Sequence, residues 1–125
     1  MHARITAAAL AICFIASAAH GETPTEKTER VNRGAYVLAI RCYIANADEL
    51  LARSEATDPA GRKFYNSKAE ASFNFAKKFG VAMGLTNTQM NHDFDFAGQY
   101  ELRFIRGQRS YKESVIATCK SAGLM

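Results

Sequence analysis

The strongest structural signal in the chain is the stretch GAYVLAIRCYIANA, residues 34–47. One apolar stripe at helical spacing contains Tyr36, Val37, Ile40, Tyr43, Ile44 and Ala47, and the opposite side carries Leu38, Ala39, Cys42 and Ala45. Only Arg41 and Asn46 interrupt this apolar character. Because a helix that is apolar nearly all round must be buried on several faces, the pattern predicts a central helix with other helices packed around it.

Capping signals predict where this first helix begins. Thr23 is followed by Pro24 and, three residues after the threonine, by Glu26. This order combines a capping box with a proline at the first helical position, where a missing N–H costs nothing. We expect the helix to run from there to about Ser54.

A second helix is predicted between the turn at Asp58-Pro59 and Gly84. The aspartate can cap the helix, and the glycine is a plausible terminator. The face expected to point toward the core contains Phe64, Lys68, Ala71, Phe75, Phe79 and Ala82, flanked by Tyr65, Ser72, Ala76 and Met83. Phe73 falls on the far side of this helix.

Two further helices are predicted in the last third of the chain. Thr86 and Gln89 form a second capping box, and the helix that they open ends or kinks at Gly107. A fourth helix is expected at about residues 109–122. Because no segment alternates apolar and polar residues over the length of a strand, we predict no sheet. The prediction is therefore an all-α fold, a small bundle of about four helices around the first, in a single domain covering residues 19–125.

The N-terminus has the layout of a cleaved secretory signal peptide. A short basic start precedes the apolar run ITAAALAICFIASA, residues 5–18, which closes on small residues in the A-x-A arrangement. A membrane anchor, a lipoprotein and a buried helix are alternatives. The run is shorter than the roughly 20 residues that a membrane span needs, and Ile12 is too large to precede a lipidated Cys13. We predict a signal peptide over residues 1–18 and a periplasmic or secreted protein.

Removal of that peptide would leave Cys42 and Cys119 in a compartment that permits disulfides. Both cysteines lie on apolar faces, one on the first predicted helix and one on the fourth. We therefore predict a structural disulfide that ties the last helix to the central one. Free or intermolecular thiols and a redox pair are the alternatives, but redox dithiols usually form a C-x-x-C motif at a helix start.

Charged residues are interspersed along the chain. The sequence has 16 Lys and Arg against 12 Asp and Glu, a formal net charge of +4 at pH 7. This balance is typical of a mixed-charge surface and is compatible with weak attraction to an acidic protein, a phospholipid headgroup or a polyanionic wall polymer. No nucleic-acid recognition motif accompanies it, so we do not expect nucleic acid as a partner.

Few residues are suited to catalysis or to cofactor binding. His92 and Asp95 can share one helix face, but no H-x-x-x-H or C-x-x-C pattern supplies further metal ligands. The C-x-x-C-H motif of covalent haem attachment and the G-x-S-x-G motif of many hydrolases do not occur. We therefore predict no metal site, no cofactor and no enzymatic activity.

One polar pair is expected inside the bundle. Glu101 falls within the apolar stripe of the third helix, between Ala97 and Ile105, and Arg41 interrupts the apolar middle of the first helix. A buried carboxylate is costly unless it is paired. We predict an interhelical ion pair between Arg41 and Glu101; a water-exposed stripe edge and a ligand-binding carboxylate are the alternatives.

A second aromatic set lies off the expected core faces. Phe96 and Tyr100 lie near Arg103 in the third helix, and Phe73 is displaced in the second. If these side chains cluster on the surface, they mark a patch for a partner or a lipid. Packing against a neighbouring helix is the alternative. We take Phe73, Phe96, Tyr100 and Arg103 as a candidate partner surface.

These features predict a small exported helical protein that binds a protein or envelope component without catalysis, and whose mature chain has no transmembrane segment. One alternative is a carrier of small apolar ligands, which would need an enclosed cavity of about several hundred Å³. Another is a chaperone-like role, because small two-cysteine helical proteins of the bacterial periplasm include acid-stress chaperones; this analogy rests on architecture alone.

Overall fold

The computed structural model describes residues 21–125, whose regular secondary structure is entirely helical. Four helices follow one another: α1 (Pro24–Leu51), α2 (Pro59–Ala82), α3 (Asn87–Gly107) and α4 (Arg109–Ser121). The predicted all-α bundle of about four helices is confirmed. Gln108 separates α3 from α4, so this region forms two helices rather than one kinked helix. The predicted signal peptide, residues 1–18, lies outside the described residues.

The described residues divide between two units, with residues 21–30 in the first and Val31–Met125 in the second. In the described part of the first unit, residues 21–30, Arg30 Nε lies 2.6 Å from Glu22 Oε2. The core and the disulfide belong to the second unit. The extent of the predicted single domain, residues 19–125, stays a prediction.

Both predicted capping boxes are present. The Glu26 amide donates to Thr23 Oγ1 at 3.1 Å, and the Thr23 amide donates to Glu26 Oε1 at 2.8 Å. Thr86 and Gln89 make the same reciprocal pair of hydrogen bonds at the start of α3. Each box satisfies backbone N–H groups that the first helical turn leaves without partners.

The connection between α1 and α2 begins earlier than predicted, because α1 ends at Leu51 and not near Ser54. Ser54 Oγ accepts a hydrogen bond from the Thr57 amide at 3.0 Å. Such local bonds offer the backbone an alternative to the helix. At the end of this connection, Asp58 Oδ1 accepts from the Gly61 amide at 2.9 Å and caps α2 as predicted.

The middle of α1 supplies the largest share of the buried core. Its buried apolar residues are Tyr36, Ala39, Ile40, Cys42, Ile44 and Ala45. The other helices contribute Ala76 from α2, Met90 and Ile105 from α3, and Val115 and Cys119 from α4. Since all three helices pack against α1 in one cluster, the predicted central helix with apolar residues on several faces is confirmed.

The core-facing side of α2 differs from the predicted side. Its buried residues are Ala69, Ser72, Ala76 and Gly80, each of which follows a residue that was predicted to face the core. Phe64, Ala71, Phe75 and Ala82 are exposed instead. One residue corresponds to a rotation of about 100° on a helix. The inner face of α2 therefore consists of small residues, and two of its phenylalanines point to solvent.

The close approach of α2 to α1 and α3 explains why its inner side differs from the predicted one. A Cβ atom built on Gly80 would collide with Met90 Sδ and would lie 3.1 Å from Tyr36 Cε1. Met90 and Tyr36 are both buried, at 2% and 4% exposure. No space remains at this point for a larger residue, so small side chains rather than phenylalanines occupy the side of α2 that faces α1 and α3.

The predicted disulfide joins Cys42 of α1 to Cys119 of α4, with 5.6 Å between the Cα atoms. Both cysteines are fully buried. The bridge closes a loop with a sequence separation of 77. In the chain-entropy model such a loop stabilises the fold by about 4–5 kcal/mol, which is close to the total stability of many small domains.

Residues that follow α4 pack beside this disulfide. Gly123 has a φ of 75°, a left-handed conformation that glycine adopts readily. The Leu124 amide donates to the Cys119 carbonyl at 2.8 Å, in the manner of a Schellman motif. Asn46 Nδ2 donates to the Leu124 carbonyl at 2.7 Å and to the Cys42 carbonyl at 2.8 Å. The polar residue in the middle of α1 thus holds this segment in place.

The close contact at Gly80 generates the first prediction. We expect Gly80→Ala to lower the free energy of unfolding by about 1–2 kcal/mol, because overpacking against buried Met90 outweighs the gain in helix propensity. The matched control is Gly98→Ala in α3, where nothing lies within 4 Å of the added Cβ. That change should stabilise the protein by up to about 1 kcal/mol.

Urea unfolding of the oxidised protein, followed by circular dichroism, measures both changes. Opposite shifts of the two midpoints are expected. If Gly80→Ala stabilises the protein as much as Gly98→Ala does, the contact at Gly80 does not set the distance between the helices.

Candidate functional site

An open groove of about 480 Å³ lies between α1 and α3. We call it the α1–α3 groove. Its apolar lining comes from Val37 and Ile40 of α1, Phe96 and Ala97 of α3, and Met83 and Leu85 in the connection between α2 and α3. Val37 is 45% exposed although it lies in the apolar middle of α1. The groove is therefore one place where the other helices leave α1 partly uncovered.

Two polar links between α1 and α3 flank the apolar lining. Tyr36 Oη donates a hydrogen bond to Asp93 Oδ2 at 2.7 Å. Arg41 Nε lies 3.0 Å from Glu101 Oε2. On α1 and on α3, the apolar groove residues lie in sequence between the two residues that form these links. The links therefore hold the walls of the groove at a defined separation.

Glu101 accepts hydrogen bonds from two helices. Besides Arg41 of α1, Tyr111 of α4 donates its hydroxyl to Glu101 Oε2. The Glu101 side chain is 15% exposed, whereas that of Arg41 is 39% exposed. A carboxylate in an apolar stripe is tolerated here because one cation and one hydroxyl satisfy it.

Both phenols of this site have a raised pKa. It raises the pKa of Tyr36 well above the ordinary range, and the hydrogen bond to Asp93 adds to the effect. Burial also raises the pKa of Tyr111, and its hydrogen bond to Glu101 acts in the same direction. Tyr36 and Tyr111 therefore remain hydrogen-bond donors at every physiological pH.

The structure brings Arg41 and Glu101 together and places both in the lining of the groove. The predicted ion pair and partial exposure to solvent thus occur together, and Tyr111 is a third partner that the sequence did not predict. The available signal was the position of this tyrosine on the inner face of the fourth predicted helix. A phenol directed at the core needs an acceptor for its hydroxyl.

An exposed aromatic strip borders the groove on α3. We call Phe96, Tyr100 and Phe104 the α3 aromatic strip; they are 54%, 47% and 44% exposed. The rings of Phe96 and Tyr100 lie 4.5 Å apart between centroids, and the Arg103 guanidinium lies 5.7 Å from the Tyr100 ring. Three residues of the candidate partner surface, Phe96, Tyr100 and Arg103, thus lie together.

Phe73, the fourth residue of that candidate surface, lies elsewhere. Its ring is 5.8 Å from Tyr43 of α1 and 5.0 Å from Phe94 of α3. Tyr43 and Phe94 also contact each other, at 5.2 Å. Because the core-facing side of α2 lies about 100° from the predicted side, Phe73 is at the edge of the core. There it contacts α1 and α3 instead of contributing to the exposed strip.

The described residues give no sign of a metal centre or a membrane span. No group of three or more His, Cys, Asp or Glu side chains within residues 21–125 is arranged to hold a metal ion. In the same range, no helix combines the length and the apolar character that crossing a membrane requires. Comparison of the chain with protein-family models, with curated proteins and with solved structures finds no match.

The network around Glu101 generates the second prediction. We expect Glu101→Ala to lower the free energy of unfolding by about 1–3 kcal/mol, because it leaves the Tyr111 hydroxyl and the Arg41 guanidinium without their acceptor. The control is Asp95→Ala, which removes an exposed carboxylate from the same helix and should change stability by less than about 0.5 kcal/mol.

Thermal and urea unfolding compare the two variants with the parent protein. Tyr111→Phe, which removes only the hydroxyl, should lie between them. Equal stability of the Glu101→Ala and Asp95→Ala variants would contradict a stabilising role for the network.

Proposed function

We propose that this chain is an exported binding protein of the cell envelope that acts without catalysis, and that the α1–α3 groove with the α3 aromatic strip is its binding surface. The proposal rests on one observation, the pair of exposed rings of Phe96 and Tyr100 beside an open apolar groove. Aromatic anchors next to a preformed groove are typical of surfaces that bind a partner segment.

Export is supported by the sequence and by the disulfide. Residues 1–18 have the three-part layout of a secretory signal peptide. The buried bridge between Cys42 and Cys119 suits an oxidising compartment such as the periplasm.

Charge at the groove favours an acidic, amphipathic peptide segment of another envelope protein as the partner. The two carboxylates in the lining, Asp93 and Glu101, already accept hydrogen bonds from Tyr36, Tyr111 and Arg41. Arg33 lines the groove and Arg103 lies beside the strip, and neither forms an ion pair with a described residue. A partner therefore meets free positive charge around an apolar lining.

A carrier of small apolar ligands has less support. Such a protein encloses most of its ligand, whereas the α1–α3 groove and four further pockets of residues 31–125 are open to solvent. No feature of the described residues favours the chaperone-like role over the binding protein, so that role stays a prediction from architecture.

Export generates the third prediction. When the full chain is expressed in a bacterium with a periplasm, we expect the periplasmic fraction to contain a protein that lacks residues 1–18 and has no free thiol. Mass spectrometry and thiol labelling measure both properties. Ile12→Asp with Ile15→Asp, which breaks the apolar run, should leave the chain unprocessed in the cytoplasm. The proposal of export fails if the parent chain also stays there with its thiols free.

Groove binding generates the fourth prediction. Two synthetic helical peptides serve as probes; both have a leucine and phenylalanine face, and their polar faces carry only glutamate or only lysine. We expect the glutamate peptide alone to bind and to shift the NMR amide signals of Val37, Phe96 and Ala97. Arg33→Glu with Arg103→Glu should weaken this binding by about tenfold or more, since like charges then face each other.

A control variant tests whether binding depends on charge at the groove or on the net charge of the protein. Arg109→Glu with Lys120→Glu changes the net charge equally, at two exposed positions of α4. This variant should bind the glutamate peptide within about twofold of the parent protein. Equal binding of both peptides, or equal weakening by the control, would contradict the proposed site.

A further inference from the structure

The outer face of α2 combines exposed phenylalanines with lysines that form no ion pair with a carboxylate of residues 21–125. We propose that this face docks the protein onto an anionic lipid surface. The proposal goes beyond the groove function and does not depend on it, because it rests on different residues of a different helix.

Positive charge is concentrated on α2. The helix carries five basic residues, Arg62, Lys63, Lys68, Lys77 and Lys78, and one acidic residue, Glu70. This excess alone matches the formal net charge of the whole chain, +4. Arg62 pairs with Glu55, but none of the four lysines forms an ion pair with a carboxylate of residues 21–125. Lys68 Nζ donates a hydrogen bond to the Gly123 carbonyl at 3.2 Å, but a carbonyl does not neutralise its charge. The charges of all four lysines are therefore available to an external anion.

An apolar stripe runs along the same helix. Phe64, Ala71, Phe75 and Ala82 are exposed and fall on one line of the helix at i, i+7, i+11 and i+18. At 1.5 Å per residue the stripe is roughly 27 Å long. Phe64 is 47% exposed and Phe75 is 41% exposed. Because the small residues of α2 face the core, these rings lie at the surface.

Lysine ammonium groups lie at the level of the exposed rings. Lys68 Nζ is 5.7 Å from the centre of the Phe64 ring. Lys78 Nζ is 5.9 Å from the centres of the Phe75 and Phe79 rings, which stack on each other at 5.1 Å. This arrangement is typical of interfacial helices, where rings enter the acyl boundary while lysines extend to the headgroups.

The shape and charge of this face favour a lipid surface over other occupants. Two pockets on the flanks of α2 are lined by other residues of the helix, such as Asn66, and not by Phe64, Ala71 or Phe75. The stripe lies along the exposed outer side of a single helix, which is convex and suits a flat surface better than a peptide that needs a groove. A second copy of the chain would bring two equally basic faces together, and their repulsion opposes self-association.

Vesicle binding generates the fifth prediction, tested on the folded, disulfide-bonded protein as the cell produces it. We expect binding to vesicles with 30% phosphatidylglycerol, weak binding to pure phosphatidylcholine vesicles, and loss of binding in high salt. Lys68→Gln with Lys78→Gln should weaken binding by about tenfold or more. The matched control, Arg109→Gln with Lys120→Gln, removes the same charge from exposed positions on α4 and should change binding by less than about threefold.

Insertion of the rings is measured separately. The chain contains no tryptophan, so Phe75→Trp provides a single fluorescent reporter on α2. We expect lipids with brominated tails to quench this reporter. Phe96→Trp on the α3 aromatic strip is the comparison and should stay unquenched. Unchanged circular dichroism melting curves show that each variant is folded.

Four outcomes would overturn the proposal. The first is equal binding to neutral and anionic vesicles, and the second is equal weakening by the α4 control. The third is quenching of both reporters to the same extent, or quenching of neither. The fourth is an absence of vesicle binding. If the protein then self-associates in sedimentation velocity and the association depends on Phe64 and Phe75, the face belongs to a second copy. None of these outcomes decides whether the groove binds its peptide.

Discussion

The need to bury the middle of α1 on several sides governs the architecture of this protein. Residues 36–45 present apolar side chains around most of the helix, and α2, α3 and α4 all contribute to the cluster that covers them. Burial of this much apolar surface is the dominant favourable contribution to folding. The disulfide between Cys42 and Cys119 makes one of these contacts covalent.

Close packing against α1 determines what the other helices expose. Gly80 of α2 lies so close to Tyr36 and Met90 that no Cβ fits between them. Small residues therefore occupy the inner side of α2, and Phe64 and Phe75 are left in solvent. One packing constraint thus accounts for both the tight interior and the aromatic, basic outer face that we assign to lipid.

The polar residues within the apolar middle of α1 have separate structural roles. Asn46 binds the carbonyl of Leu124 and holds the segment after α4 beside the disulfide. Arg41 pairs with Glu101, which also accepts the Tyr111 hydroxyl. Where α1 remains partly uncovered, at Val37, the α1–α3 groove opens between these polar links. The groove and the outer face of α2 thus both result from the way in which the other helices pack against α1.

The sequence alone determined the number of helices, their starts and the cysteine pair. Caps such as Thr23 with Glu26 depend on residues only three apart. The pairing of Cys42 with Cys119 was predictable because the predicted signal peptide takes Cys13 away and both remaining cysteines lie on apolar helix faces. Neither prediction needs knowledge of the packing. Tertiary structure alone decided which side of α2 faces inward, where Phe73 lies, and that Tyr111 joins Arg41 on Glu101. The physical reason is that α2 has apolar residues on adjacent faces, and hydrophobicity alone favours the face with larger side chains. The distance between packed helices selected the face with smaller ones, and that distance is a property of the assembled bundle rather than of any single helix.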